Sequence, residues 1–112
     1  MKHKLPLPQE KKLTVLIRVE AGCLGPEGID HVDAFCPFAE KALATLDSDF
    51  VHWEVTPRHD ISKPEMEFRV GAQSVTHVQA EKYLSLFDKV LHEFEGHLHL
   101  RLAQLIEEFF GR

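Results

Sequence analysis

The stretch Phe35-Cys36-Pro37-Phe38-Ala39-Glu40-Lys41-Ala42-Leu43-Ala44-Thr45-Leu46-Asp47-Ser48-Asp49-Phe50-Val51-His52-Trp53-Glu54-Val55 holds two periods in succession. Ile29, Val32, Cys36, Ala39, Leu43 and Leu46 recur at steps of three and four, the stripe of an amphipathic helix that enters the stretch from its N-terminal side. Asp47-Ser48-Asp49 ends that pattern. Val51, Trp53 and Val55 then alternate with Phe50, His52 and Glu54, the period of a strand with one buried face. A helix that runs directly into a strand is the second half of a β-α-β unit, so the fold turns on the strand before it.

That strand is residues 13–20, where Leu13, Val15, Ile17 and Val19 alternate with Thr14, Leu16, Arg18 and Glu20. Residues 21–28, with three glycines and Pro26, form the intervening loop. Downstream, residues 56–63 are a polar connector, and Met66, Phe68 and Val70 then oppose Glu65, Glu67 and Arg69 in a third strand. Gly71-Ala72-Gln73 reads as a hairpin turn into a short fourth strand, residues 74–76, because glycine frees the backbone for positive φ. Thr76 with Gln79 three residues on has the spacing of a capping box. Residues 1–12, charged and interrupted by Pro6 and Pro8, read as a mobile tail.

Each strand has one apolar and one charged face, whereas a sheet between two helix layers would show continuous apolar runs. The expected fold class is therefore α/β in two layers of βαββα order, a mixed four-stranded sheet with helices mainly on one face. The first helix makes a right-handed crossover and strands three and four add a hairpin. One domain covers residues 13–112, with residues 97–110 as a C-terminal helical extension. The other sheet face is expected to be wet or covered by a protein partner.

The chain has 112 residues, with 18 acidic against 13 basic side chains and a net charge of −5. That is the wrong sign for a protein that gains affinity by neutralising phosphates, so nucleic acid is not an expected partner. No stretch approaches the roughly 20 apolar residues of a membrane span, and no apolar run follows the charged N-terminus as a secretory signal requires. Cytoplasmic location with two reduced cysteines, Cys23 and Cys36, is the expectation.

Cys36-Pro37-Phe38-Ala39, the helix behind it and the strand Phe50-Val51-His52-Trp53-Glu54-Val55 resemble the Cys-Pro-aromatic-Cys helix and second strand of glutaredoxin-like members of the thioredoxin fold. Pro64 before the third strand resembles the cis proline that lies against the active-site thiol there. The resemblance covers roughly residues 13–95 and implies a thioredoxin-like sheet. It implies Cys36 as a nucleophile, Pro64 shaping the site and the Lys63 backbone receiving a thiol partner. Ala39 stands in place of the second motif cysteine, Lys63 replaces a small apolar residue, and residues 22–34 are an insertion. Only single-thiol chemistry is left open by the first of these.

Cys36 has two readings. With a helix starting at Pro37, the thiol would stand at its N-cap, where unpaired N–H groups and the helix dipole lower a thiol pKa. With a helix starting near Asp30 or Asp33, Cys36 is a small apolar member of the buried stripe. Cys23, in Gly22-Cys23-Leu24-Gly25, reads as an unreactive loop cysteine, and its spacing from Cys36 matches no metal or redox pattern.

Among eight histidines, only His92, Glu95 and His99 share one side of a helix, a set that would offer ligands to zinc; a solvated helix margin explains the same residues. His92 and His97 are five apart, which excludes the His-Glu-x-x-His arrangement. No phosphate-cradling glycine loop or Ser/His/Asp arrangement is present, and no cofactor is expected.

Apolar residues from Tyr83 to Phe109 keep helical phase through Gly96. A single helix over residues 78–110 would be about 50 Å long and would overhang a domain about 35 Å across. The overhanging Leu98, Leu102, Leu105, Ile106, Phe109 and Phe110 call for a partner, expected to be a second copy in a homodimer; a break at Gly96 would fold the segment back instead. The expected function is a non-enzymatic interaction or scaffold module. The alternatives are a glutaredoxin-like redox protein using Cys36 and a metal-binding protein using His92, Glu95 and His99.

Overall fold

The computed structural model describes residues 5–111. The chain divides after Val75 into two compact units. In the first, strands β1 (Leu13–Val19), β2 (Val51–Pro57), β3 (Met66–Val70) and β4 (Gln73–Val75) form a sheet of order β2-β1-β3-β4. β1 and β2 are parallel, with Leu13 opposite Val51 and Val19 opposite Pro57, and helix α1 (Gly28–Leu43) connects them. β3 runs antiparallel to β1 with Phe68 opposite Val15, and β4 antiparallel to β3. The α/β class and the mixed four-stranded sheet are as expected.

The alternation along the strands becomes two faces. Leu13, Val15, Ile17, Val19, Val51, Trp53, Val55 and Phe68 are buried on one of them, as are Val32, Phe35, Cys36, Ala39 and Leu43 of α1. Full burial of each larger side chain stabilises by about 1.5 to 3 kcal/mol. Trp53 donates its indole N–H to the Leu46 carbonyl at 2.8 Å, so the ring is enclosed without an orphaned donor.

Three details depart from the expected pattern. Ile29 is in phase with the stripe yet 77% exposed. The first turn of α1 packs through Gly28 instead: a Cβ there would stand 1.7 Å from the Ala21 carbonyl oxygen, so only glycine permits the approach to the 3-10 turn Ala21–Leu24. The fourth strand begins at Gln73, because Val70 pairs with Gln73 across the two-residue loop Gly71-Ala72, with Gly71 at φ +62°. Positive φ at the first central residue is what a type II′ hairpin turn requires. Part of the segment expected as a mobile tail carries structure, a 3-10 turn at Gln9–Lys11 and a bond from the Leu7 N–H to the Asp49 carbonyl at 2.8 Å. Residues 1–4 of that tail lie outside the described residues.

The second unit holds α2 (His77–Ser85) and α3 (Leu91–Phe109). The capping box forms as expected: the Gln79 N–H donates to Thr76 Oγ1 at 3.1 Å and the Thr76 N–H to Gln79 Oε1 at 2.7 Å. The expected single helix over residues 78–110 is corrected. α2 ends in a turn where Asp88 has φ +60°, the Asp88 N–H donates to the Ser85 carbonyl at 3.2 Å and the Lys89 N–H to the Leu84 carbonyl at 3.0 Å. Those two bonds are the Schellman pattern, which caps the last carbonyls of a helix. α3 then passes through Gly96 unbroken, and its 19 residues span about 28 Å. That is little more than half of the expected length of about 50 Å, and Leu98 and Leu105 are already fully buried within one chain.

Candidate functional site

Cys36 lies in the interior of α1, whose N-cap is Glu27, so the thiol does not meet the free N–H groups of a helix start. It is 1% exposed. Burial, and then the negative charges of Asp33 and Glu40, push its thiol from an ordinary 9.0 up to about 11. All three causes disfavour a thiolate, which is the nucleophilic form. Pro37 is a mid-helix residue, where it supplies no N–H, and not the first residue of a helix.

Pro64 is exposed and follows a trans peptide bond; the one cis bond among the described residues is Leu5–Pro6. Its carbonyl accepts from Arg18 Nη1 at 2.8 Å. The two residues that the resemblance pairs thus sit in different surroundings, Cys36 in the core and Pro64 in water beside a guanidinium.

The organised part of this end of the sheet is the connector between β2 and β3. Arg58 leaves the end of β2 with its backbone N–H on the Val19 carbonyl at 2.8 Å. Its guanidinium donates from Nε to the Lys63 carbonyl at 3.1 Å, from Nη2 to the Ile61 carbonyl at 3.1 Å, and from Nη1 to Glu20. The planar fork of arginine suits three acceptors held at once, as a lysine ammonium does not. Inside the loop the Ser62 N–H and hydroxyl donate to Asp60 Oδ1 at 3.0 and 2.6 Å, which holds that carboxyl below the usual carboxylate range. Ile61, at the crest, is 79% exposed. His59 Nε2 stands 3.6 Å from Asp33 Oδ1 of α1, and through Glu20 the fork reaches the segment that carries exposed Cys23.

The charged face of the sheet is laced across its strands. Arg69 of β3 reaches over β1 to Glu54 of β2, Nη2 to Oε1 2.5 Å, and His52 Nε2 lies 3.6 Å from the other Glu54 oxygen. Arg18 pairs with Glu67 at 3.0 Å. Arg69 Nε is buried without a hydrogen-bond partner. On α3, His92 and His99 are exposed, while Glu95 stands 3.5 Å from His77 Nε2. Among the described residues no three histidine, cysteine or carboxylate side chains are grouped to hold a metal, so His92, Glu95 and His99 do not form the ligand set that the metal-binding alternative needs. No helix among the described residues is long and apolar enough to cross a membrane.

The connector escapes a pattern reading because residues 56–63 show no periodicity. Its signals are the Asp60-Ile61-Ser62 turn chemistry and a lone isoleucine among polar neighbours. No protein-family model, no curated protein and no solved structure matches the chain.

Proposed function

We propose that this chain is a non-enzymatic interaction module built on a thioredoxin-like sheet. The strand order β2-β1-β3-β4, with a parallel first pair and an antiparallel hairpin, supports the fold part of that reading. The observation that carries the functional part is the enclosure of Cys36, 1% exposed and shifted away from thiolate. A single-thiol redox protein needs a nucleophile in contact with solvent, and this one is a core side chain. The rigid connector and the laced charged face offer a protein partner pre-ordered surface, which lowers the entropy cost of association.

The test is thiol–disulfide exchange with a small aromatic disulfide on a Cys23→Ser variant, so that Cys36 alone reports. Exchange only as fast as global unfolding is the expected result, with Cys36→Ala retaining the native circular dichroism. Exchange in the folded state faster than a free cysteine would return the redox reading to first place.

A further inference from the structure

β2 is an edge strand, and one side chain closes part of its outer edge. In the parallel ladder the Leu13 N–H donates to the Phe50 carbonyl at 2.9 Å and the Arg58 N–H to the Val19 carbonyl at 2.8 Å. His52, Glu54 and Thr56 therefore turn their backbone groups to β1, and Val51, Trp53, Val55 and Pro57 turn theirs outward. Pro57 has no N–H, and the Val51 N–H is held by the Asp47 carbonyl at 2.9 Å. The Val55 N–H is held by a side chain from another element, Glu40 Oε1 of α1 at 3.0 Å. Glu40, with Pro37, Lys41 and Ala44, forms the helix wall of an open groove of about 630 Å³ whose other wall is β2.

We propose that Glu40 is the gatekeeper of a self-pairing edge. While its carboxylate holds the Val55 N–H the edge is closed at that residue; with that carboxylate removed, β2 pairs antiparallel with β2 of a second copy about a two-fold axis at Trp53. The occupant is a second copy because the strand is complementary to itself in that register. His52 falls opposite Glu54 of the second copy, and Glu54 opposite its His52, so an unlike pair forms twice where cross-strand side chains come closest. Val51 falls opposite Val55, and each Val55 N–H released by Glu40 meets a Val51 carbonyl across the axis. The sequence Val51-His52-Trp53-Glu54-Val55 is rich in β-branched and aromatic residues, and such an edge left open is a template for pairing.

Sedimentation velocity across a concentration series, on the full chain, tests this. Relative to wild type, Glu40→Ala gains a species of doubled mass whose share grows with concentration. Glu40→Gln, which keeps an acceptor oxygen at the same place, behaves as wild type. Val55→Pro added to Glu40→Ala removes the new species, since proline deletes an outward N–H and leaves the β1 ladder whole. His52→Glu added to Glu40→Ala also removes it, and Glu54→His on top of that restores it. Glu40→Ser makes the same truncation should Glu40→Ala lose its native circular dichroism. The proposal is overturned if the truncated variants sediment as wild type does at every concentration, or if their added species survives Val55→Pro.

Discussion

Arg58 Nη2 donates to the Ile61 carbonyl three residues ahead at 3.1 Å, so the side chain that closes the end of β2 also fixes the crest of the following loop. Glu20 and the Lys63 carbonyl take the rest of the same fork. One guanidinium therefore decides whether residues 57–64 are an ordered surface or a loose connection.

Arg58→Lys keeps the charge and gives up the fork. With a half-buried position and three acceptors to release, the expected loss is about 1 to 2 kcal/mol of unfolding free energy in urea. Limited proteolysis should show new cleavage confined to residues 57–64. An unchanged urea midpoint together with unchanged protection would mean that the fork does not hold the loop rigid.

Cys36 supplies a pH signature. Its folded-state pKa is raised, from 9.0 to about 11, so the native state keeps a proton that the unfolded state releases. Stability is therefore insensitive to this group below pH 9 and falls as pH rises toward 11, by at most about 1.4 kcal/mol per pH unit. The difference between wild type and Cys36→Ala in urea titrations at pH 8 and pH 10.5 isolates it from lysine and tyrosine titration. Wild type should lose more stability over that interval than the variant; equal losses would mean the thiol is not held protonated by the fold. Iodoacetamide at pH 8 should modify exposed Cys23 and leave Cys36 intact until the chain unfolds.

The strands were legible because their period of two comes from a sheet with one wet face: Val15, Trp53 and Phe68 enter the core as their alternation requires. The helix stripe was legible in azimuth but not in extent, since only the packing of Gly28 on Ala21 decides that Ile29 stays in water. The helix start that separates a buried Cys36 from an activated one is set by residues 21–28, a loop with no periodic signal. Glu40 acts through one long-range bond and Arg58 through a fork of three acceptors, and neither leaves a trace in spacing.

Two glycines should respond to alanine with opposite signs. Gly28→Ala would drive a Cβ into the Ala21 carbonyl, backbone against backbone, and the expected cost is about 1 to 3 kcal/mol. Gly96 sits inside α3, where an added methyl group would meet nothing within 4 Å, so Gly96→Ala should stabilise by about 0.5 to 1 kcal/mol. Thermal denaturation of both variants gives the signs directly, and a destabilising Gly96→Ala would mean that α3 does not run through that position.

Asp88 distinguishes a broken helical segment from a continuous one. At φ +60° it occupies the left-handed conformation after α2, which costs a side-chain-bearing residue about 1 to 2 kcal/mol and glycine almost nothing. Asp88→Gly should therefore stabilise the chain, by up to about 1 kcal/mol once the greater freedom of glycine in the unfolded state is subtracted. Asp88→Ala should destabilise it, because alanine tolerates that conformation less well than aspartate. A continuous helix through residue 88 reverses both signs, since there alanine is the best helix former and glycine among the worst. Measured in the same urea series, the order Gly above Asp above Ala is the result expected of the turn that joins Leu84 to Lys89, and the order Ala above Asp above Gly would restore the single long helix.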